Sequence, residues 1–517
     1  MQGKKDLTKT AFFVMIATLI SKILGFMREV LLGSTYGATY MTDAYLIAIT
    51  IPTILFSSII AAIATTFIPV YSRVTLEGGQ KENIKFTNKI LNAVIVVCSV
   101  FSIFGLIFTR PIVSIIAIGF DEATFDLAVE LTRIVFPMIL FIGVAYIFTG
   151  FLQSNGEFAI PALINVPNNI IIIVVLLFSS AFGIHGLAYA TLFGSLFQVV
   201  IQFPYAIKKG FRYKYILDFK DQYVQNIWIL AIPVLIGASV QQLNALVDRM
   251  LASGLIEGSI SALNFANKLN GFVFGIFSIS ISTVIYPLLA TLNVQNNKTV
   301  FRKTLVSSIN VITILMIPMT AGAIILRVPI VSILFQRGEF DSRATMLTAS
   351  ALLFYSLGMV FFGYRDILSR VFYSLNDTKT PMINGVIALI CNILLNIILV
   401  QYMQHAGLAF ATSITAAITT ILLFISLKKK LGSIGTISIV KVFIKSCIAA
   451  ITMGVTVYNL NIYINSIIIT ESITSKLLTL SLNIGVGVII YSTVIYFSKI
   501  DEISWIIGLV KNKLNLK

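Results

Sequence analysis

The stretch SKILGFMREVLLGSTYG, residues 21–37, is part of the first apolar segment and carries Lys22, Arg28 and Glu29 where lipid-facing side chains belong. An ionised group at mid-bilayer costs about 2.5–3.5 kcal/mol even on a lenient insertion scale, so such residues face a cavity or a charged partner. Lys22 and Arg28 stand about 9 Å apart along a helix, too deep for easy snorkelling if the segment starts near residue 10. Lys22 and Glu29 share a helix face, and Arg28 points about a third of a turn away. Two readings fit: a salt-bridge network between helices, or a cationic patch in a wet cavity that holds an anion. Asp43 opens the next apolar segment, either as an ordinary N-cap or as part of that site. Later segments carry Asp248 and Arg249 in NALVDRML, Lys268 in NFANKLNGF, and Arg365, Asp366 and Arg370 in YRDILSR. Snorkelling suits Arg370.

A second polar cluster consists of Asn392 and Asn396, four apart on one face, and Thr412 on the following helix. With Asp248 they could supply oxygens for a hard monovalent cation, so sodium is the one candidate cofactor. Hydrogen bonding between helices accounts for the amides and the hydroxyl equally well. His185 and His405 fall in short turns and read as turn residues. Cys98, Cys391 and Cys447, an odd number in apolar surroundings, indicate neither a disulfide framework nor a metal knuckle. There is no GxGxxG after a strand, no Walker lysine motif, no HExxH and no GxSxG elbow, so an ATP-driven pump or a soluble-type hydrolase has no support.

These residues must be held by membrane helices. Of 517 residues 57% are hydrophobic and 11% charged, with a mean hydropathy of +0.96. That composition belongs to an all-α polytopic membrane protein. Apolar segments near 10–32, 43–72, 88–109, 126–152, 160–181, 186–207, 225–254, 259–290, 304–326, 344–374, 381–402, 407–427, 438–460 and 476–498 predict about fourteen transmembrane helices. The first is expected to be retained, because MQGKKDLTK leads into an apolar run longer than a signal h-region. Lys and Arg number 37 against 21 Asp and Glu, a net charge of +16. The positive-inside rule explains this excess without nucleic acid, since basic runs such as KKGFRYKYILDFK and KKKLGSIG follow even-numbered spans. Both termini are then expected in the cytoplasm, and RVPIVSILFQRGEFDSR is a partly basic outer exception.

The spans repeat. FLQSNGEFAIP ends at Pro161 and VFYSLNDTKTP at Pro381, GLAYAT starts at Gly186 and GLAFAT at Gly407, and Pro69 corresponds to Pro287. These three anchors share an offset near 220 residues. Six spans per unit predict a parallel repeat, with a functional site between the lobes. The expected division is an N-terminal lobe over 1–222, a C-terminal lobe over 223–430, and two extra helices with a cytoplasmic tail over 431–517. Asp248 corresponds to Arg28, so the lobes place opposite charges at matching positions.

The set SKILGFMRE, TDAYLIAITIP, FIPVYS, ASGLIEGSISALNFANKL, VFYSLNDTKTP and GLAFATS resembles the MurJ/MviN family of lipid II flippases, within the multidrug/oligosaccharidyl-lipid/polysaccharide exporter superfamily. The resemblance implies a central cavity whose basic residues hold the diphosphate of an undecaprenyl-linked peptidoglycan precursor. It also implies a lipid-tail groove formed by the last two helices. Arg28 matches a family arginine, Lys22 and Lys268 stand where arginine is usual, and Glu29, Asp43 and Ser261 match cavity positions. Asp248, Asn392, Asn396 and Thr412 fall on a family sodium site, with Asn396 replacing an aspartate. Phe56 and Ser57 replace the arginines of a PNLLRR run. Lysine lacks the bidentate fork of arginine, so the clamp is expected to be less directional.

The implied activity is alternating access that carries lipid II from the inner to the outer leaflet of a bacterial cytoplasmic membrane, without enzymatic chemistry. Expected partners are the lipid-linked glycan diphosphate and membrane lipids, with cell-wall synthesis proteins as candidates. Rival readings are a flippase for another lipid-linked glycan of capsule, teichoic or O-antigen type, a drug/cation antiporter, a membrane glycosyltransferase and a non-transport scaffold. A cavity lined by Lys22, Arg28 and Lys268 would repel cationic drugs. A glycosyltransferase would need acidic residues on large outer loops, and GFDEATFD and QRGEFDSR are short.

Overall fold

The computed structural model describes residues 2–503 except 433 and 468–471, without the side chains of 2–12 and of some positions within 55–64, 233–241 and 276–284. Residues 504–517 of the expected cytoplasmic tail thus lie outside the described residues. All regular structure described is α-helical, as lipid demands of a backbone that must satisfy its own hydrogen bonds.

The helices are α1 (Gln2–Tyr36), α2 (Tyr40–Ile107), α3 (Thr109–Ile116), α4 (Glu122–Val135), α5 (Met138–Ser154), α6 (Ala159–Ala162), α7 (Asn165–Leu177), α8 (Ser179–Lys208) and α9 (Gln222–Ser253). There follow α10 (Ser259–Val294), α11 (Lys298–Ile325), α12 (Arg327–Phe335), α13 (Ser342–Leu357), α14 (Met359–Ser374), α15 (Lys379–Leu431), α16 (Thr436–Ile467) and α17 (Ile473–Phe497). Eight described helical stretches are long and apolar enough to cross a membrane, or nine if α13 and α14, bent by 45°, form one span. The protein is therefore an all-α, multi-pass membrane protein. Within α2 two helices meet at the non-helical Gly79, and within α15 two meet at the non-helical Gln404, so each label covers two expected spans with a sharp break between them.

The chain packs as two compact units, Met1–Ser261 with Gly338–Phe340, and Ala262–Arg337 with Asp341–Lys517. In the first, α2 packs against α4, α5 and α9, and α8 against α5 and α7. Phe67, Tyr71, Phe86 and Phe151 form an aromatic core there, with Phe67 and Phe86 centroids 5.5 Å apart. Residues 212–216, in the segment expected to link the lobes, are strapped to α2. Asn88 donates to the Arg212 carbonyl at 2.9 Å and accepts from the Lys214 amide at 2.8 Å, and Asn92 donates to the Lys214 and Ile216 carbonyls. Contacts also place α9 in this unit, so packing and sequence repeat divide the chain at different points.

In the second unit α11 packs against α14 and α16, and α16 against α17. The Thr313 and Tyr364 hydroxyls meet at 2.6 Å, and Tyr491 donates to the Ile314 carbonyl at 2.8 Å, fixing α17 to α11. Gly407 follows the α15 break so closely that a Cβ there would lie 2.4 Å from the Leu399 carbonyl oxygen. The repeated GLA motif marks this tight return of the chain.

Candidate functional site

Arg28 lies on α1 with its side chain 23% exposed, beside the buried Glu29. Its Nη2 donates to Glu29 Oε1 at 2.7 Å and its Nη1 to Asn169 Oδ1 on α7 at 3.3 Å. Asn169 in turn donates to the Ser21 carbonyl at 3.3 Å, so one amide spans the arginine and the backbone of the residue just before Lys22. The guanidinium borders a small cavity shared with Glu29, Tyr45, Ile49 and Ile172. Tyr45 is itself anchored by its hydroxyl to Thr191 at 2.8 Å. The arginine is thus paired and oriented while part of its side chain stays exposed. Lys22, by contrast, is exposed.

Asp43 and Ser261 are brought together. The buried Asp43 carboxylate accepts the Gly258 amide at 2.8 Å, the Ser261 amide at 2.7 Å and the Ser261 hydroxyl. The N-cap of α2 is Thr39, so Asp43 does not cap its own helix. It satisfies orphan donors at the start of α10 instead. Glu257 Oε1 accepts the Tyr40 amide at 2.9 Å, which adds a second tie between the same two segments. Gly258 has φ +84°, and a Cβ there would lie 2.2 Å from the Ala38 carbonyl oxygen, so only glycine fits this approach.

Two further connections join this cluster within the first unit. The Glu339 amide donates to the Ser34 carbonyl at 3.0 Å. The Gly119 amide donates to Ser253 Oγ at 3.3 Å. Together these bonds form a latch that ties the α1–α2, α3–α4, α9–α10 and α12–α13 connections to their neighbours.

Lys268 is exposed on α10 in the second unit. There Asn396 donates to Asn392 Oδ1 at 2.7 Å, and Asn392 donates to Thr415 Oγ1 at 3.4 Å. Thr412 donates to the Leu408 carbonyl of its own helix at 3.0 Å, and Asp248 belongs to α9 of the first unit. The structure therefore brings the two asparagines together and adds Thr415. Arg370 pairs with Asp366 at 3.4 Å. Phe56 is buried and packs edge-on against Phe101 with centroids 5.1 Å apart, while the Ser57 side chain lies outside the described ones.

Sequence reasoning missed Asn169, Gly258 and Thr415. The adjacent amides of NNIIIIVV in an apolar segment were the available signal for Asn169.

A family model described as Lipid II flippase MurJ matches residues 32–478. A probable lipid II flippase MurJ of Buchnera aphidicola subsp. Acyrthosiphon pisum is 32% identical over 485 residues, covering 90% of this chain and 94% of the relative. One from Vibrio cholerae is 32% identical over 435 residues, covering 81% and 82%. Among solved structures, a lipid II flippase MurJ in an inward closed conformation superposes with a TM-score of 0.79 at 29% identity, covering 93% of this chain and 98% of the other. An inward-facing MATE family multidrug transporter of the MOP superfamily gives 0.66 at 15% identity, covering 82% and 99%, a likeness of fold.

Proposed function

The chain belongs to the lipid II flippase MurJ family, and from that premise we propose that it carries lipid II from the inner to the outer leaflet of a bacterial cytoplasmic membrane by alternating access. The observation that carries this reading into the chain's own chemistry is Arg28. Glu29 and Asn169 fix two of its nitrogens in a membrane span while an edge stays open to a cavity. An arginine held in that way meets a phosphate without first losing rotamer freedom. Lys22, in the same unit as Arg28, adds charge without the fork.

In the cycle we propose, the bonds of Asp43 to the start of α10 are ones that must be released for the outer side to open. No step in this cycle makes or breaks a covalent bond, so the protein acts as a transporter. An inside-negative membrane potential favours outward passage of the diphosphate by about 2.3 kcal/mol per charge per 100 mV. Both termini would face the cytoplasm, and cell-wall synthesis proteins would take up the product.

For sodium, the Asn392 and Asn396 oxygens and the Thr412 hydroxyl are the donors we assign within α15. Binding would exchange the Asn396 to Asn392 hydrogen bond for the ion, and sodium dependence of transport tests it. Phe56, buried where the family resemblance implies a cationic residue, is the one feature that favours another lipid-linked glycan.

The deciding experiment supplies the parent or its Arg28→Ala form to bacteria depleted of their own lipid II flippase and measures lipid II on the outer leaflet. Restoration by the parent and loss in the variant, at equal membrane levels, is expected. A well-expressed parent that restores nothing overturns the lipid II assignment and directs the assay to other undecaprenyl-linked glycans.

A further inference from the structure

A cavity of about 180 Å³ opens in the second unit among the end of α10, the start of α11, the α14–α15 turn and the end of α15. Lys298, Arg302 and Lys430 line it together with Asn293 and Asn296, and no acidic residue does. Arg302 donates to the Leu431 carbonyl, which holds its guanidinium across the cavity, and its Nε is buried without an acceptor among the described residues. Lys298 is exposed at the first position of α11. Lys430 pairs with Asp377 at 2.7 Å, a carboxylate that also accepts the Thr380 amide at 3.0 Å and its hydroxyl at 2.9 Å. One carboxylate therefore offsets one of three cations.

The first repeat has no such concentration. Its corresponding stretch, LEGGQKENI over 76–84, replaces NNKTVFRKT over 296–304. That stretch holds two carboxylates, Glu77 paired with Arg73 at 2.8 Å and Glu82 with Lys85 at 2.6 Å, and one lysine, where the second repeat holds Lys298, Arg302 and Lys303 and no carboxylate. The repeat explains the shared fold but not the cationic cavity, so the cavity answers to something particular to the second unit.

We propose that this cavity binds the phosphate of an anionic phospholipid of the inner leaflet, as a site separate from that of the transported diphosphate. Four observations converge on this ligand. The cations include a partly exposed guanidinium, whose planar donors suit an anionic oxygen. The volume is below the roughly 300–1,000 Å³ of pockets for drug-sized molecules, so it admits a headgroup phosphate and excludes a nucleotide. The cavity lies at the ends of membrane helices, where basic pockets meet lipid headgroups. Val294, Val300, Met382 and Ile383 stand exposed on the same helix ends, offering apolar surface that acyl chains use and free phosphate does not.

The test is native mass spectrometry of the delipidated full-length protein titrated with phosphatidylglycerol or with inorganic phosphate. Lys298→Gln removes a charge whose side chain makes no hydrogen bond among the described residues, and Arg302→Lys keeps a donor for Leu431 but loses the fork. Each is expected to weaken phosphatidylglycerol retention about tenfold, the worth of one charge-assisted contact, while Arg28→Ala leaves it unchanged. Equal retention by the parent and both variants overturns the site. Displacement of the lipid by millimolar inorganic phosphate overturns the lipid assignment. Loss of retention in Arg28→Ala assigns the lipid to the transport site and also overturns the proposal.

Discussion

Replacing Asp43 by alanine removes the acceptor for two amides and one hydroxyl. The hydroxyl of Ser261 can turn to a backbone carbonyl, but the Gly258 and Ser261 amides are held in a buried corner under Ala38. Loss of a helix cap costs about 0.5–2 kcal/mol, and each stranded buried donor about 1–3 kcal/mol. The carboxylate had itself been desolvated at a cost of several kcal/mol, which its removal returns in part. The net expectation is about 2–4 kcal/mol of latch stability, or a change in the ratio of closed to open latch of roughly 30- to 700-fold. Hydrogen exchange followed by mass spectrometry reads it directly, because local opening limits exchange at protected amides. A peptide spanning residues 254–262 should exchange faster by that factor in Asp43→Ala, and by less in Asp43→Asn, which keeps one acceptor oxygen. Peptides from the core of α5 serve as the control for global unfolding. If the 254–262 peptide keeps its parent protection in Asp43→Ala while the protein is folded, the carboxylate does not hold the latch and the reasoning fails.

Three other outcomes follow from the same structure. Arg28→Lys keeps the charge but cannot reach Glu29 and Asn169 with a planar fork, so outer-leaflet lipid II should fall about tenfold at equal membrane level; full activity would show that charge alone suffices. Gly407→Ala places a Cβ 2.4 Å from the Leu399 carbonyl oxygen and should lower stability by about 1–3 kcal/mol, read as a drop in Tm in detergent. Asp377 is held down to about 2 by Lys430 first, then by the Thr380 amide. Because its folded value is below the usual carboxylate value of about 3.9, its contribution is present above that value and lost as pH falls through about 2. The Tm advantage of the parent over Asp377→Asn should therefore shrink between pH 4 and pH 2 and stay level from pH 5 to 7.

How far the sequence could be read depended on how local each interaction is. The apolar segments led to helices because lipid leaves a backbone few alternatives. The pairing of Arg28 with Glu29 did not follow from helix faces, because adjacent Cα positions diverge while a long guanidinium arm can fold back to its neighbour. Asn169 lies 141 residues from Arg28, and no spacing rule spans that distance. For Asp43 the chemistry was legible and the partner was not: a carboxylate at a helix start is a cap, but the amide it meets at Gly258, just before the helix it caps, lies 215 residues later. The repeated GLA motif announced a shared structural need, and only the backbone of Leu399 explains why it begins with glycine. The absent arginine at Phe56 was visible in the sequence, whereas its burial against Phe101 required the packing of α2 on itself.

The energies set a condition on how the cycle is driven. A ligand moves a conformational equilibrium only by its difference in affinity between the states, so an unloaded transporter must keep a latch worth about 2–4 kcal/mol shut. A lipid diphosphate with about two negative charges gains roughly 4.6 kcal/mol in crossing 100 mV outward, if the protein's own cations stay behind. This requirement makes the fixing of Arg28 meaningful: Glu29 and Asn169 tie it to its own unit, so the substrate's charge moves and the arginine's does not. The field across the membrane and the Asp43 share of the latch are then of the same size. A chain without a Walker lysine motif has, in the proposed cycle, a driving force large enough to open the outer side only when the anion is aboard.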